Sequence, residues 1–244
     1  SIGLLLRDIF KSSYWWIGVC LLTLAPAWFL HSRTAFETVM FVSFYAGFLY
    51  LYALYRYRSP HYLYYALLLA ALAFYSYSPG QLILGITGVL LLFSDARYHW
   101  QNRGVVLRGA GLGVLLALPY LRFRLDHPAA WIDHLRTLGS YWVQPLSLNE
   151  KIARFAREYF FGLSPGYWFL PNDDDLPRHI MKGYGHLFRA TLPFAVLGFI
   201  IAIKEFRSSA HRMILISMFA APVGSALVSV GITRLLVLVI PATL

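Results

Sequence analysis

The sequence predicts an all-α polytopic membrane protein of about eight transmembrane helices, with one large external loop carrying interfacial helices. Three observations predict it. The 244 residues are 59% hydrophobic and 13% charged, with a mean hydropathy of +0.58, whereas a soluble domain carries roughly 25% charged residues. Apolar runs approaching the roughly 20 residues needed to cross the hydrocarbon core lie on both sides of one polar stretch, residues 122–190. Arginine and lysine crowd into alternate short loops.

Taken in order, residues 1–13 form a short amphipathic stretch with Arg7 and Lys11, and span one covers about 14–30, with Pro26 kinking it near its far end. The motif His31-Ser32-Arg33-Thr34-Ala35-Phe36-Glu37 follows, and span two runs to about Tyr55. After Arg56 and Arg58, span three covers about 62–77 and ends in the turn Tyr-Ser-Tyr-Ser-Pro-Gly-Gln. Span four is short, about 81–93; span five, about 105–121, holds Arg108 one turn in, where it can snorkel back. Beyond the central loop, span six covers about 191–203 and span seven about 213–230; span eight begins at Leu235. The chain thus divides into a five-span part (1–121), the external loop (122–190) and C-terminal spans (191–244). It starts at Ser1 and stops at Leu244 within an apolar run, so both ends read as cuts.

Orientation follows from charge. One set of short loops holds Arg7, Lys11, Arg56, Arg58, Arg97, Arg103, Arg108, Lys204, Arg207 and Arg212; the other holds Arg33 and Arg234. By the positive-inside rule the first set is cytoplasmic. The HSRTAFE and YSYSPGQ turns, the central loop and Arg234 then share the external face. The net charge of +10 is accounted for by topology and anionic lipid, which argues against nucleic acid as a partner. Cys20, the single cysteine, lies in a span and excludes a disulfide framework.

Within the loop, Ile152, Phe155, Ala156 and Tyr159 recur at helical spacing, with Lys151, Arg154, Arg157 and Glu158 elsewhere and Asn149 as an N-cap. This predicts a helix lying in the interface, aromatics down, with Trp131, Trp142, Tyr167 and Trp168 as further anchors. A second short helix is expected after Asp175, where Asp-Leu-Pro offers a cap and an early proline.

Four constellations share the external face. Arg33 and Glu37, four apart, would share a helical face, either as phosphate-binding cation and carboxylate or as a local ion pair. Asp173-Asp174-Asp175 reads as a divalent-cation ligand set or as a solvated, helix-capping turn. Arg178 and His179, with Lys182 and His186 beyond, combine a fixed cation with imidazoles that hold a metal or move a proton, or contact headgroups. Arg234 is placed to grip an anionic headgroup or to anchor its span. The sequence carries no glycine-rich phosphate loop, zinc spacing or nucleophile motif.

The runs LAPAWFLHSRTAFE, LYRYRSPHYLYYALLLAALAFYSYSPGQ, PNDDDLPRHIMKGYGHLFRATLPFAVLGFIIA and GITRLLVLVIPA resemble the bacterial polyprenyl-phosphate-dependent glycosyltransferases of the GT-C superfamily. The branch resembled is that of the protein O-mannosyltransferases and the lipid A aminoarabinose transferase. The resemblance implies transfer of a sugar from a polyprenyl-phosphate donor to an acceptor on the external face of the bacterial inner membrane. It places Glu37 as the catalytic carboxylate, Arg33, Arg178 and Arg234 on the donor phosphate, and His179, with His186 second, on a divalent metal. It also implies a principal catalytic aspartate in a first external loop, for which this chain has no counterpart. A non-catalytic membrane subunit of a larger complex on the same fold is therefore the alternative. A transporter is disfavoured, because no charges lie deep in the spans and no inverted repeat is evident.

Overall fold

The computed structural model describes residues 1–34 and 36–244; Ala35, inside the HSRTAFE motif, lies outside the described residues. The fold is all-α, and no strand occurs among the described residues. A short α1 (Ile2–Leu4) leads through a π-helical turn (Leu5–Ile9) to α2 (Trp15–Leu24) and α3 (Pro26–His31). Then come α4 (Glu37–Tyr57), α5 (Tyr62–Ser76), α6 (Ser78–Ser94), α7 (Ala96–Gln101) and α8 (Arg103–Asp126). The central loop carries α9 (Ala130–Thr137), α10 (Leu148–Gly162) and α11 (Pro165–Phe169). The chain closes with α12 (Leu192–Lys204), α13 (Ser209–Ala226), α14 (Ile232–Leu235) and α15 (Val239–Thr243).

Two helices, α4 and α8, are long and apolar enough to cross a membrane. They sit very differently: 67% of the apolar window of α4 is buried, against 6% for α8. The stretches expected as spans one, three, four and eight form shorter apolar helices. Span one is cut in two where Ala25 turns extended ahead of Pro26, whose missing N–H cannot continue the ladder. The break has a use: the amide freed at Ala27 donates to the His186 carbonyl at 3.0 Å, tying α3 to the central loop.

The core is built on α4. Its buried face carries Phe41, Tyr45, Leu49, Tyr52 and Tyr55, packed against α5, α13 and the C-terminal stretch from Ile232 to Ile240. Tyr45 spends its hydroxyl on Thr87 of α6 at 2.7 Å, so this large ring is buried without an orphan polar atom. Helices α6 and α13 approach closely because Gly224 has no side chain: a Cβ there would stand 2.6 Å from the Pro79 carbonyl oxygen.

One end of the bundle is fastened by Asp95. Its buried carboxylate meets Arg56 at 2.9 Å, Arg212 at 2.5 Å, Tyr52 at 2.8 Å and Ser209 at 2.7 Å. Burial alone would raise this carboxyl, but the hydroxyls of Ser209 and Tyr52 and the two guanidiniums outweigh it and hold it below its ordinary value. The end of α4, the loop after α6 and the start of α13 are thereby joined at the end where the sequence crowds its basic residues.

In the central loop, α10 departs from the expected interfacial pose. Its N-cap is Ser147, not Asn149: Ser147 and Glu150 form a reciprocal capping box, which satisfies two terminal amides where Asn149 would satisfy one. Phe155, Ala156 and Tyr159 turn towards protein, with Tyr159 donating to the Phe219 carbonyl of α13 at 2.9 Å and Phe155 packing on Trp142. Ile152 and Phe160 are exposed instead. Tyr167 and Trp168, expected as interfacial anchors, are buried, because the Trp168 indole donates to Gly162 O at 2.7 Å and Tyr167 to Asp175 at 2.7 Å. The helix expected after Asp175 is a single 3-10 turn (Pro177–His179), which Asp175 does not cap.

Candidate functional site

The end of the bundle opposite Asp95 gathers the turn after α3, the start of α6, the central loop and α14. Its frame is Asp175. The carboxylate accepts from Tyr167 OH at 2.7 Å, from His186 Nε2 at 3.0 Å and from the Ile232 amide at 2.7 Å. Burial pushes the acid up, but donation from His186, Ile232 and Tyr167 prevails and holds it below the ordinary carboxylate value. The same burial, next to that charge, pushes the Tyr167 phenol upward, so it stays a donor. His186 lies against the rings of Tyr167 and Trp168, with centroids 4.8 and 5.9 Å away. Gly185 makes this possible: a Cβ there would stand 2.6 Å from the Phe169 carbonyl carbon.

Beside this frame, His31 at the end of α3 stacks on His179 of the 3-10 turn, ring centroids 5.5 Å apart and planes 15° apart. His31 Nδ1–H donates to Ala27 O at 2.8 Å, and Arg178 Nε–H donates to His179 Nε2 at 3.2 Å. Burial holds both imidazoles below their ordinary value; Arg178 adds to that at His179. Thr38 reaches across to the Thr233 carbonyl at 2.6 Å, so α4 and α14 meet here as well.

A cleft of about 250 Å3 opens between α9 and the ends of α5, α6, α8 and α13. Phe74, Leu82, Tyr120, Trp131 and Leu227 make its walls apolar, and Arg234, whose guanidinium donates to the Ser229 carbonyl at 3.3 Å, is among the residues that line it. Only Leu135 of α9 is buried, so this helix covers the cleft on a narrow footing.

Of the sequence candidates, Arg178, His179, His186 and Arg234 come to this end together. Arg33 and Glu37 do not share a helical face: α3 stops at His31 and α4 starts at Glu37, with a turn between. Arg33 folds back onto Phe29, donating to its carbonyl at 2.8 Å and lying 3.6 Å over its ring, while Glu37 is exposed at the start of α4. His186 Nε2 is engaged by Asp175, a guanidinium occupies His179 Nε2, and no group of three or more metal-ligating side chains converges among the described residues. Asp173 and Asp174 are exposed, leaving Asp175 alone turned inward. Sequence reasoning assigned no role to His31 and none but capping or metal binding to Asp175. The one available signal was that both lie within motifs already singled out, HSRTAFE and the triple aspartate.

Comparison with protein-family models, with curated proteins and with solved structures finds no match. The function therefore rests on the residues themselves.

Proposed function

We propose that this chain is a membrane glycosyltransferase, or part of one, that takes a sugar from a polyprenyl-phosphate donor and passes it to an acceptor on the external face. The observation that carries this reading is the Arg234 cleft: apolar walls with one arginine among the lining residues suit an amphiphile with a hydrocarbon tail and an anionic head. In this reading the chain is polytopic, with about eight crossings in a bacterial inner membrane. The Asp95 end is cytoplasmic and residues 122–190 are external. The exposed apolar surface of α8, including Leu107, Val114, Leu115 and Leu118, faces lipid.

Arg234 holds the donor phosphate and neutralises the charge that grows on it as the sugar leaves. Arg33 and Arg178, exposed at the same end, add positive potential over its approach. Glu37 is the carboxylate offered for deprotonating the acceptor hydroxyl. No step is assigned to a metal.

One observation favours a second reading, a non-catalytic membrane subunit on a GT-C-like fold. The one acid buried at this end, Asp175, has its carboxylate occupied by three donors and is set up to hold the loop. Transfer of labelled sugar from a polyprenyl-phosphate donor by the membrane-embedded protein separates the two. Transfer that Arg234→Gln abolishes supports the enzyme; donor binding without transfer supports the subunit.

A further inference from the structure

His31 and His179 are each only half engaged. His31, fully buried, gives Nδ1–H to the Ala27 carbonyl. A carbonyl can only accept, so in the neutral ring Nε2 carries the lone pair. His179, 7% exposed, receives Arg178 Nε–H at its Nε2. A guanidinium can only donate, so Nδ1 of His179 carries the hydrogen. The unused atoms are thus an acceptor on His31 and a donor on His179. Both are buried, and neither has a partner among the described residues. The burial that lowers both imidazoles is in keeping with neutral rings.

A buried donor or acceptor left unpaired is costly, and the chemistry of these two restricts what can satisfy them. An ammonium would meet the His31 lone pair but not the His179 N–H; a carboxylate or phosphate oxygen would meet the His179 N–H but not the His31 lone pair. A hydroxyl serves both with one atom. We propose that His31 and His179 form a seat for a single hydroxyl oxygen, which accepts from His179 Nδ1–H and donates its own hydrogen to His31 Nε2. Two ordinary hydrogen bonds to one oxygen bridge nitrogens up to roughly 5–6 Å apart, and the two rings are neighbours, with centroids 5.5 Å apart.

Water and a substrate alcohol carry the same O–H, and the Phe36 ring packs beside both imidazoles. Its partly buried ring lies 6.2 Å from His31 and 5.2 Å from His179, at the position that caps α4. Removing that ring should leave more room beside the pair. The seat goes beyond the donor reading and does not depend on it, since Arg234 takes no part.

The test is nitrogen NMR of the full chain, labelled with 15N-histidine and held in lipid nanodiscs, with 13C-glycerol as the alcohol probe. The seat predicts His31 Nε2 shifted upfield of a bare imidazole nitrogen, with a cross-peak to an exchangeable proton that D2O removes. His179→Phe should abolish both effects while the His31 Nδ1–H signal stays. A cross-peak to glycerol carbons that strengthens in Phe36→Ala identifies an alcohol site; a cross-peak to water alone, in both proteins, identifies a water site. A His31 Nε2 at the bare-nitrogen position, without a cross-peak to water or glycerol, overturns the proposal. So does a shift that His179→Phe leaves unchanged.

Discussion

The Asp175 carboxylate and the Ile232 amide, 57 positions apart in sequence, are joined by a 2.7 Å hydrogen bond. That bond seats the C-terminal stretch against the central loop, while the other Asp175 oxygen holds Tyr167 and His186. Asp175→Asn keeps the shape but puts an amide NH2 where a donor now points inward. Leaving one buried donor unmatched costs about 1–3 kcal/mol. Unfolding in detergent should show that loss, whereas Asp174→Asn, at an exposed position, should show almost none.

Acidification should loosen this end in two stages. His31 and His179 have folded pKa values below the ordinary 6.5, because burial disfavours their charged forms. Below that pH the unfolded chain takes up protons that the folded rings refuse, so stability falls as pH drops through 6.5. Asp175 runs at lower pH: its contribution is present above 3.8 and is lost as pH falls through its depressed folded value. Unfolding midpoints measured from pH 8 down to about pH 5 should decline, and less steeply in His31→Gln. A flat profile would mean that the two rings are solvated.

Gly185 and Gly113 offer a matched comparison. A Cβ at Gly185 meets the Phe169 backbone at 2.6 Å, whereas a Cβ at Gly113, in α8, meets nothing within 4 Å. Gly185→Ala must push apart the segments joined by the Leu187 amide and the Trp168 carbonyl at 2.8 Å. It should cost at least about 1–3 kcal/mol, the range for overpacking. Gly113→Ala should be neutral or stabilising by up to about 1 kcal/mol through helix propensity. Equal thermal shifts for the two would contradict this packing.

Much of this was legible in the sequence, and the failures have physical causes. The all-α class followed from composition and long apolar runs. The break at Pro26 followed from the missing N–H, and the gathering of the HSRTAFE turn, Arg178, His179 and Arg234 at one end from the alternation of basic loops. Periodicity located α10 but not its partner, since a half-apolar face suits lipid and α13 equally. Asn149 and Ser147 are both good caps, and only the reciprocal bond to Glu150 decides between them. Asp95 and Asp175 were invisible as organising groups because their partners come from distant helices: Ser209 is 114 positions from Asp95.

Asp95 also makes a sharp prediction. Its side chain is 1% exposed and faces two guanidiniums, at 17% and 15%. Asp95→Ala would leave both cations partly buried without a counter-charge, a loss of about 3–5 kcal/mol for a broken buried pair. The protein should unfold at lower denaturant or fail to accumulate. Replacing Arg56 by Met as well should recover part of the loss, whereas no recovery would mean the clamp is not electrostatic.

Glu37 carries the proposed chemistry without carrying the fold. Being exposed, it should tolerate Glu37→Gln with an unchanged unfolding midpoint. Sugar transfer should nevertheless fall at least about tenfold, or about 1.4 kcal/mol of transition-state stabilisation. Full activity in that variant would reduce Glu37 to a surface carboxylate.

The central claim is that the Arg234 cleft takes a polyprenyl phosphate, and binding to the full chain in nanodiscs tests it most directly. Polyprenyl phosphate should quench tryptophan fluorescence through Trp131, which lines the cleft. The neutral polyprenol should bind at least about tenfold more weakly, the equivalent of one phosphate–guanidinium contact of about 1.4 kcal/mol. Arg234→Gln should erase that preference, and Arg207→Gln, in the basic loop after α12, should leave it intact. Equal binding of phosphate and alcohol, or a preference that survives Arg234→Gln, would contradict the account.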